Sequence, residues 1–295
     1  MNKLELIKEL RSRTQASMAD CKQAIESSNG DIEVAIDILR KNGIIKAAKK
    51  GDRDACEGIV CAISNGLFGF IITVQTETDF VTRNDIFQIF VQEVVDCVCA
   101  QQPKTMQDVL SLQLNSGVNV EQKCQEMTAI IGEKICIGFY EAITGDDDHY
   151  VGVYIHGKLP NSDICGVSAA LVVLSGVGIG VLKLPEIVEL TKKIAMHIVA
   201  ANPLAINIDQ IPQNIIDREM AIIQEKISAE NKAPEIKEKM LAASVRKWHE
   251  ETLLTKQTSI FDSKITITEM VNSVGNNIAT TLNINRFLRV SIGKS

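Results

Sequence analysis

Gly58-Ile-Val-Cys-Ala-Ile-Ser64 and Gly69-Phe-Ile-Ile-Thr-Val-Gln-Thr76 are two apolar, β-branched runs with Asn65-Gly66 between them. Asn-Gly readily adopts the positive-φ turn that joins antiparallel strands, so the two runs predict a β-hairpin. Thr78-Asp79-Phe80-Val81 follows, and Phe87, Phe90, Val91, Val94 and Val98 then recur at helical spacing from about Asp85 to Ala100. Further helical segments to about Glu133 and a strand from Ile135 to Ile143 give the order β-β-α-α-β. Strands followed by helices predict an α+β fold with antiparallel sheets.

A related pattern appears a second time. Tyr150 to His156 and Val167 to Leu174 read as strands, and Pro185 to Ala201 reads as a helix with Ile187, Leu190, Ile194 and Ile198 facing inward. Between Asp217 and Lys256 there are 16 formal charges, eight of each sign, over an apolar stripe of Ile216, Met220, Ile223 and Ile227 that Leu241, Val245 and Trp248 continue. This predicts a coiled-coil hairpin over about 215–256, apolar along its seam and solvated outside. A short helix near Thr268 to Val274 and a terminal strand from Arg286 to Ile292 close the chain.

Upstream of the hairpin, three short helices are expected. Leu4, Ile7 and Leu10 mark the first, Ser17 caps the second, and Asp31 caps a third that Gly43 should end. Lys46 to Gly51 has the composition of a linker. The expected division is a three-helix module (1–53), a first α+β subdomain (54–144), a second one carrying the coiled-coil hairpin (145–267), and a small C-terminal module (268–295).

The 295 residues carry 31 Lys plus Arg against 37 Asp plus Glu, a net charge of -6 that argues against a direct nucleic-acid binder. Aromatics at 4% are too few for base-stacking platforms. The eight cysteines form no Cys-x-x-Cys pair and are expected to be reduced, mostly buried thiols of a cytoplasmic protein. Ile164 to Leu182 has no charged side chain, but Gly166, Gly176, Gly178 and Gly180 interrupt it; a buried strand is expected there, not a membrane span.

Enzyme signatures are weak. Gly176-Val-Gly-Ile-Gly180 lacks dinucleotide-site spacing, and His197 between Ile194 and Ile198 reads as a packed helix residue. Asp146, Asp148, His149 and His156 supply the residue types of a metal-dependent enzyme site, which stands as an alternative, as does a passive helical scaffold. Thr78-Asp79-Phe80-Val81 places a large aromatic after an acid in a short turn between strand and helix. Either Phe80 folds back onto the core while Asp79 caps the helix, or the turn projects toward a partner.

Arg11-Ser-Arg-Thr14 with Met18-Ala-Asp-Cys-Lys22, Asn29-Gly-Asp31, Lys46-Ala-Ala-Lys-Lys50, Thr78-Asp-Phe-Val81, Ile131-Gly-Glu133, His156-Gly157 and Ile194-Ala-Met-His197 occur in the order found in bacterial translation elongation factor Ts, which the chain resembles along nearly its whole length. The departures are Gln75 where Asn is usual, Thr82 where Ala is common, and a Leu159 to Asp163 insertion.

The resemblance implies a ubiquitin-associated-like N-terminal module and a guanine nucleotide exchange factor for elongation factor Tu, without enzymatic chemistry or cofactor. It assigns Thr78, Asp79, Phe80 and Val81 to displacement of Mg²⁺ in the partner, Ile131, Gly132 and His156 to the same contact surface, and Arg11, Met18 and Lys22 to a grip by the N-terminal module. It leaves room for a homodimer or a 2:2 complex with elongation factor Tu. It implies no membrane partner.

Overall fold

The computed structural model describes residues 2–48, 50–176 and 184–293. The chain is α+β, as expected. Three helices come first: α1 (Lys3–Thr14), α2 (Met18–Ser27) and α3 (Ile32–Ala48). Asn2 caps α1, Ser17 caps α2 and Asp31 accepts from the Val34 N–H, so local side chains satisfy the free amides that open each helix. Ile7, Leu10, Cys21, Ala24, Ile25 and Ala35 form their common core.

Helix α3 does not stop at Gly43. It runs on to Ala48, into the expected linker, and Gly43 lies buried inside it, at a close contact with a second helix that the absence of a side chain eases. The contact is with α6 (Val120–Ile131), the helix after the short α5 (Met106–Ser111), where a Cβ on Gly43 would stand 3.3 Å from the Ala129 Cβ.

β1 (Glu57–Ser64) and β2 (Phe68–Thr76) form the predicted hairpin, with Asn65 Oδ1 accepting from the Leu67 and Phe68 amides. The first sheet has the order β3-β2-β1-β5, where β3 is Cys136–Thr144 and β5 is Cys165–Gly166. The second has the order β4-β6-β7, with β4 His149–His156, β6 Ser168–Ser175 and β7 Asn283–Ser291. All pairings are antiparallel.

The expected strand Val167 to Leu174 is β6, which begins one residue later at Ser168, and the two-residue strand β5 just before it is an addition to the expected elements. The chain leaves the first sheet after Gly166, exposes Val167 and enters the second at Ser168.

Strand alternation explains the layering. In β1, Ile59 and Cys61 pack with Phe87, Phe90 and Val94 of α4 (Asp85–Gln101), whereas Val60 and Ala62 face Val151, Ala169 and Leu171 of the second sheet. Beyond that sheet, Ala170, Val172 and Leu174 meet Ile187, Leu190, Ile194 and Ile198 of α7 (Pro185–Ala201). Helix, sheet, sheet and helix are therefore stacked in four layers, and both faces of β1 and β6 are buried.

The charged stretch forms α8 (Gln213–Ser228) and α9 (Pro234–Thr252), which share a cluster of Ile211, Ile223, Ile227 and Trp248. α10 (Ile267–Asn277) precedes β7. Among the described residues, no helix is long and apolar enough to cross a membrane. Most of the Gly176 to Gly180 turn lies outside the described residues.

One expectation about cysteine is corrected. Cys61 on β1 and Cys165 on β5 are directly paired in register and joined by a disulfide, so these two thiols are not free. Their separation of 104 residues hides the pairing from local sequence reading. Cys21, Cys56, Cys97, Cys99, Cys124 and Cys136 are free.

Candidate functional site

β2 ends at Thr76, and Asp79–Arg83 form a single 3-10 turn before α4. Asn84 caps α4 by accepting from the Ile86 and Phe87 amides, so the capping role falls to it and not to Asp79. Asp79 is exposed. Phe80 is 76% exposed while its neighbour Val81 is 6% exposed and sits in the core beside Phe87. Val81 thus turns into the core while Phe80, one residue before it, projects into solvent.

The turn is firmly held. Thr82 Oγ1 donates to Asp79 O at 2.7 Å, and Gln88 Nε2 donates to Thr82 O at 2.8 Å, so the departure at Thr82 supplies an added internal bond. At its start, the Thr78 N–H donates to Glu133 Oε2 at 2.8 Å and Thr78 Oγ1 donates to Glu133 Oε1 at 2.8 Å. Buried Thr76 adds a third donor to Glu133, at 3.2 Å.

A reciprocal bond runs the other way, from the Lys134 N–H to Glu77 Oε1 at 2.7 Å. That amide and the Arg53 guanidinium hold the Glu77 carboxyl below its ordinary range. Lys134 Nζ donates to the carbonyls of Gly51 and Arg53, and Lys50 Nζ donates to Gly132 O. The segment after the three-helix unit is thereby tied to the same turn.

Ile131 ends α6 and Gly132 is its C-terminal cap, at φ 88°, a conformation in which glycine avoids the steric cost of a side chain. Glu133 therefore brings the Ile131 and Gly132 turn to Thr78. His156 belongs elsewhere: it ends β4 in the second sheet, is exposed, and has its Nδ1 3.2 Å from Tyr154 Oη. Arg11, Met18 and Lys22 lie exposed on α1 and α2, and among the described residues they make no hydrogen bond or ion pair to either loop.

The alternative metal site is not assembled. His149 and His156 occupy the two ends of β4, about 23 Å apart at ~3.3 Å per residue. His149 Nδ1 is engaged by Asp146, its Nε2 lies 3.1 Å from Asn285 Nδ2, and Asp148 accepts from the Gly176 N–H at 3.1 Å. Among the described residues, no three His, Cys, Asp or Glu side chains converge for a cation.

Sequence reading singled out the Thr78 to Val81 turn but gave no role to Glu77, Arg53 or Lys134, and quoted Glu133 only as part of a motif. Their bonds join residues 24 to 83 positions apart, which no local pattern records.

The fold and this turn define an α+β protein that displays a rigidly braced apolar side chain on its surface. The family model described as Elongation factor TS matches residues 77–294. The chain is 35% identical to elongation factor Ts of Sphingopyxis alaskensis over 289 residues, covering 98% of this chain and 92% of that one. It is 34% identical to elongation factor Ts of Rickettsia massiliae, covering 98% and 91%. The chain belongs to the elongation factor Ts family.

Proposed function

We propose that the protein is a guanine nucleotide exchange factor for elongation factor Tu in translation elongation. The observation that carries this reading is Phe80, an aromatic held in solvent by a turn whose next residue is core. Membership of the elongation factor Ts family supplies the class of partner.

The mechanism needs no covalent chemistry. A factor that binds the nucleotide-free GTPase more tightly than the nucleotide-bound form weakens nucleotide affinity by the same factor, by linkage. Mg²⁺ and the phosphate loop hold the nucleotide in such GTPases, so Phe80 and Asp79, entering beside the metal, loosen the whole site. In this reading Thr78 and Val81 fix the turn, Ile131, Gly132 and His156 extend the contact, and Arg11, Met18 and Lys22 provide a second grip that raises the effective concentration of the first.

Stopped-flow release of a fluorescent GDP from the cognate GTPase tests this. Phe80→Ala should slow release at saturating factor more than it weakens association, and Asp79→Ala should act in the same direction. Binding of the unaltered factor without faster release would make it a passive scaffold.

A further inference from the structure

We propose that Glu133 is the positioning residue that sets the direction in which Phe80 projects; this rests on the exchange-factor reading for its consequence, but not for its structural content. Phe80 is two residues beyond Thr78, and at 76% exposure its side chain takes its direction chiefly from the backbone that carries it. That backbone starts at Thr78, whose own side chain makes no capping bond to the 3-10 turn. Both hydrogen-bond donors of Thr78 are committed instead to one carboxylate, each at 2.8 Å.

Glu133 is well suited to this. It follows the Gly132 cap directly, so its own backbone is fixed by the end of α6. Its two oxygens accept three hydrogen bonds, two from Thr78 and one from buried Thr76. Bonds to an ionised acceptor are stronger than neutral ones, and a fork contacting two donors of one residue restrains rotation as well as distance. The reverse bond from the Lys134 N–H to Glu77 closes a second arm, so each loop holds the other through an acid next to the donated amide. Severing one arm leaves a hinge where there was a clasp.

The conservative replacement discriminates geometry from charge. In Glu133→Gln the amide oxygen can replace Oε2, accepting from the Thr78 amide and Thr76 hydroxyl, while the amide nitrogen donates to Thr78 Oγ, a hydroxyl that can also accept. Glu133→Ala removes every bond.

Two measurements test the proposal. In the free factor, amide hydrogen exchange at Thr78 and across Asp79–Arg83 should accelerate in Glu133→Ala and stay near the unaltered rate in Glu133→Gln, with α4 protected in both. In GDP release, Glu133→Ala should lower the saturating rate on the order of tenfold with little change in half-saturating concentration, as expected for misaligned rather than missing contacts. Glu133→Gln should restore most of it. Combined with Phe80→Ala, Glu133→Ala should add no further loss, because it acts through that side chain. Thr78→Ala, which removes only the hydroxyl bond, serves as a milder probe should Glu133→Ala fail to fold.

Unchanged amide exchange in Glu133→Ala, or in Thr78→Ala if that is the variant that folds, overturns the proposal, as does an equal loss of GDP release in the Phe80→Ala background. Accelerated amide exchange together with normal GDP release by Phe80→Ala leaves the positioning role standing and overturns the exchange reading of Phe80.

Discussion

Gly43 on α3 faces Ala129 on α6 so closely that a methyl group in place of its hydrogen would lie 3.3 Å from the alanine Cβ. Gly43→Ala gains helix propensity of about 1 kcal/mol and meets a contact that shifts by a few tenths of an ångström, so it should be nearly neutral. Gly43→Leu cannot be accommodated and should cost about 1–3 kcal/mol. Urea midpoints of the two variants check this, and faster tryptic cleavage at Lys50 or Arg53 in Gly43→Leu would show that the helices have moved apart.

Phe80 and Val81 make opposite demands on stability. Phe80→Ala should change the unfolding free energy by less than about 0.5 kcal/mol, as for an exposed position. Val81→Ala removes buried methyl groups and should cost about 1.5–3 kcal/mol. Equilibrium denaturation of both variants decides the pair, and a larger loss at Phe80 than at Val81 would contradict the geometry.

His197, 1% exposed, is held neutral by its surroundings. Its Nδ1 accepts from the Ile260 N–H at 3.3 Å, so Nε2 carries the proton and donates to Gln257 Oε1 at 2.8 Å. Burial lowers its proton affinity below the ordinary value of 6.5, although the Gln257 bond opposes this. As pH falls through about 6.5 the unfolded chain takes up a proton that the native state refuses, so stability declines, by at most about 1.4 kcal/mol per pH unit from this group. Urea midpoints from pH 8 to 5.5 should fall more steeply for the native chain than for His197→Gln. Parallel curves would show that His197 does not contribute.

The Cys61–Cys165 bridge closes a loop spanning 104 residues. In the chain-entropy description such a cross-link stabilises by about 4–5 kcal/mol, so reduction should lower the thermal midpoint markedly. Thiol titration in denaturant should count six without reductant and eight with it. Burial raises the thiol pKa of Cys21, Cys97, Cys99, Cys124 and Cys136, so under native conditions these should react slowly.

What was legible in the sequence was what is local. The Asn65-Gly66 turn, the Phe87 to Val98 stripe and the capping serine at Ser17 each declare their element within a few residues, and each element is present. Gly43 misled because a glycine late in a helix usually ends it; here it eases a close contact with Ala129, 86 positions away. The bridge between Cys61 and Cys165 and the brace between Thr78 and Glu133 are products of register and loop packing, with no signature in either partner's neighbourhood. Residue pattern raised the Thr78 to Val81 turn to notice but left open which way Phe80 points. In the structure Phe80 stands in solvent beside Val81, which the core claims.

The small strand Cys165–Gly166 also has a consequence in time. It is the neighbour of β1 in the first sheet, yet it is made 104 residues after Cys61. At a synthesis rate of 5 to 20 residues per second, β1 waits roughly 5 to 20 s at the ribosome with one edge of its ladder open. During that interval the hairpin can already recruit β3 on its other side, so the growing chain carries a nearly finished sheet that ends in an unpaired edge and an unpaired thiol. When the closing strand arrives it pairs with only Val60 and Cys61 of the eight residues of β1, so the edge that waits is longer than the strand that covers it.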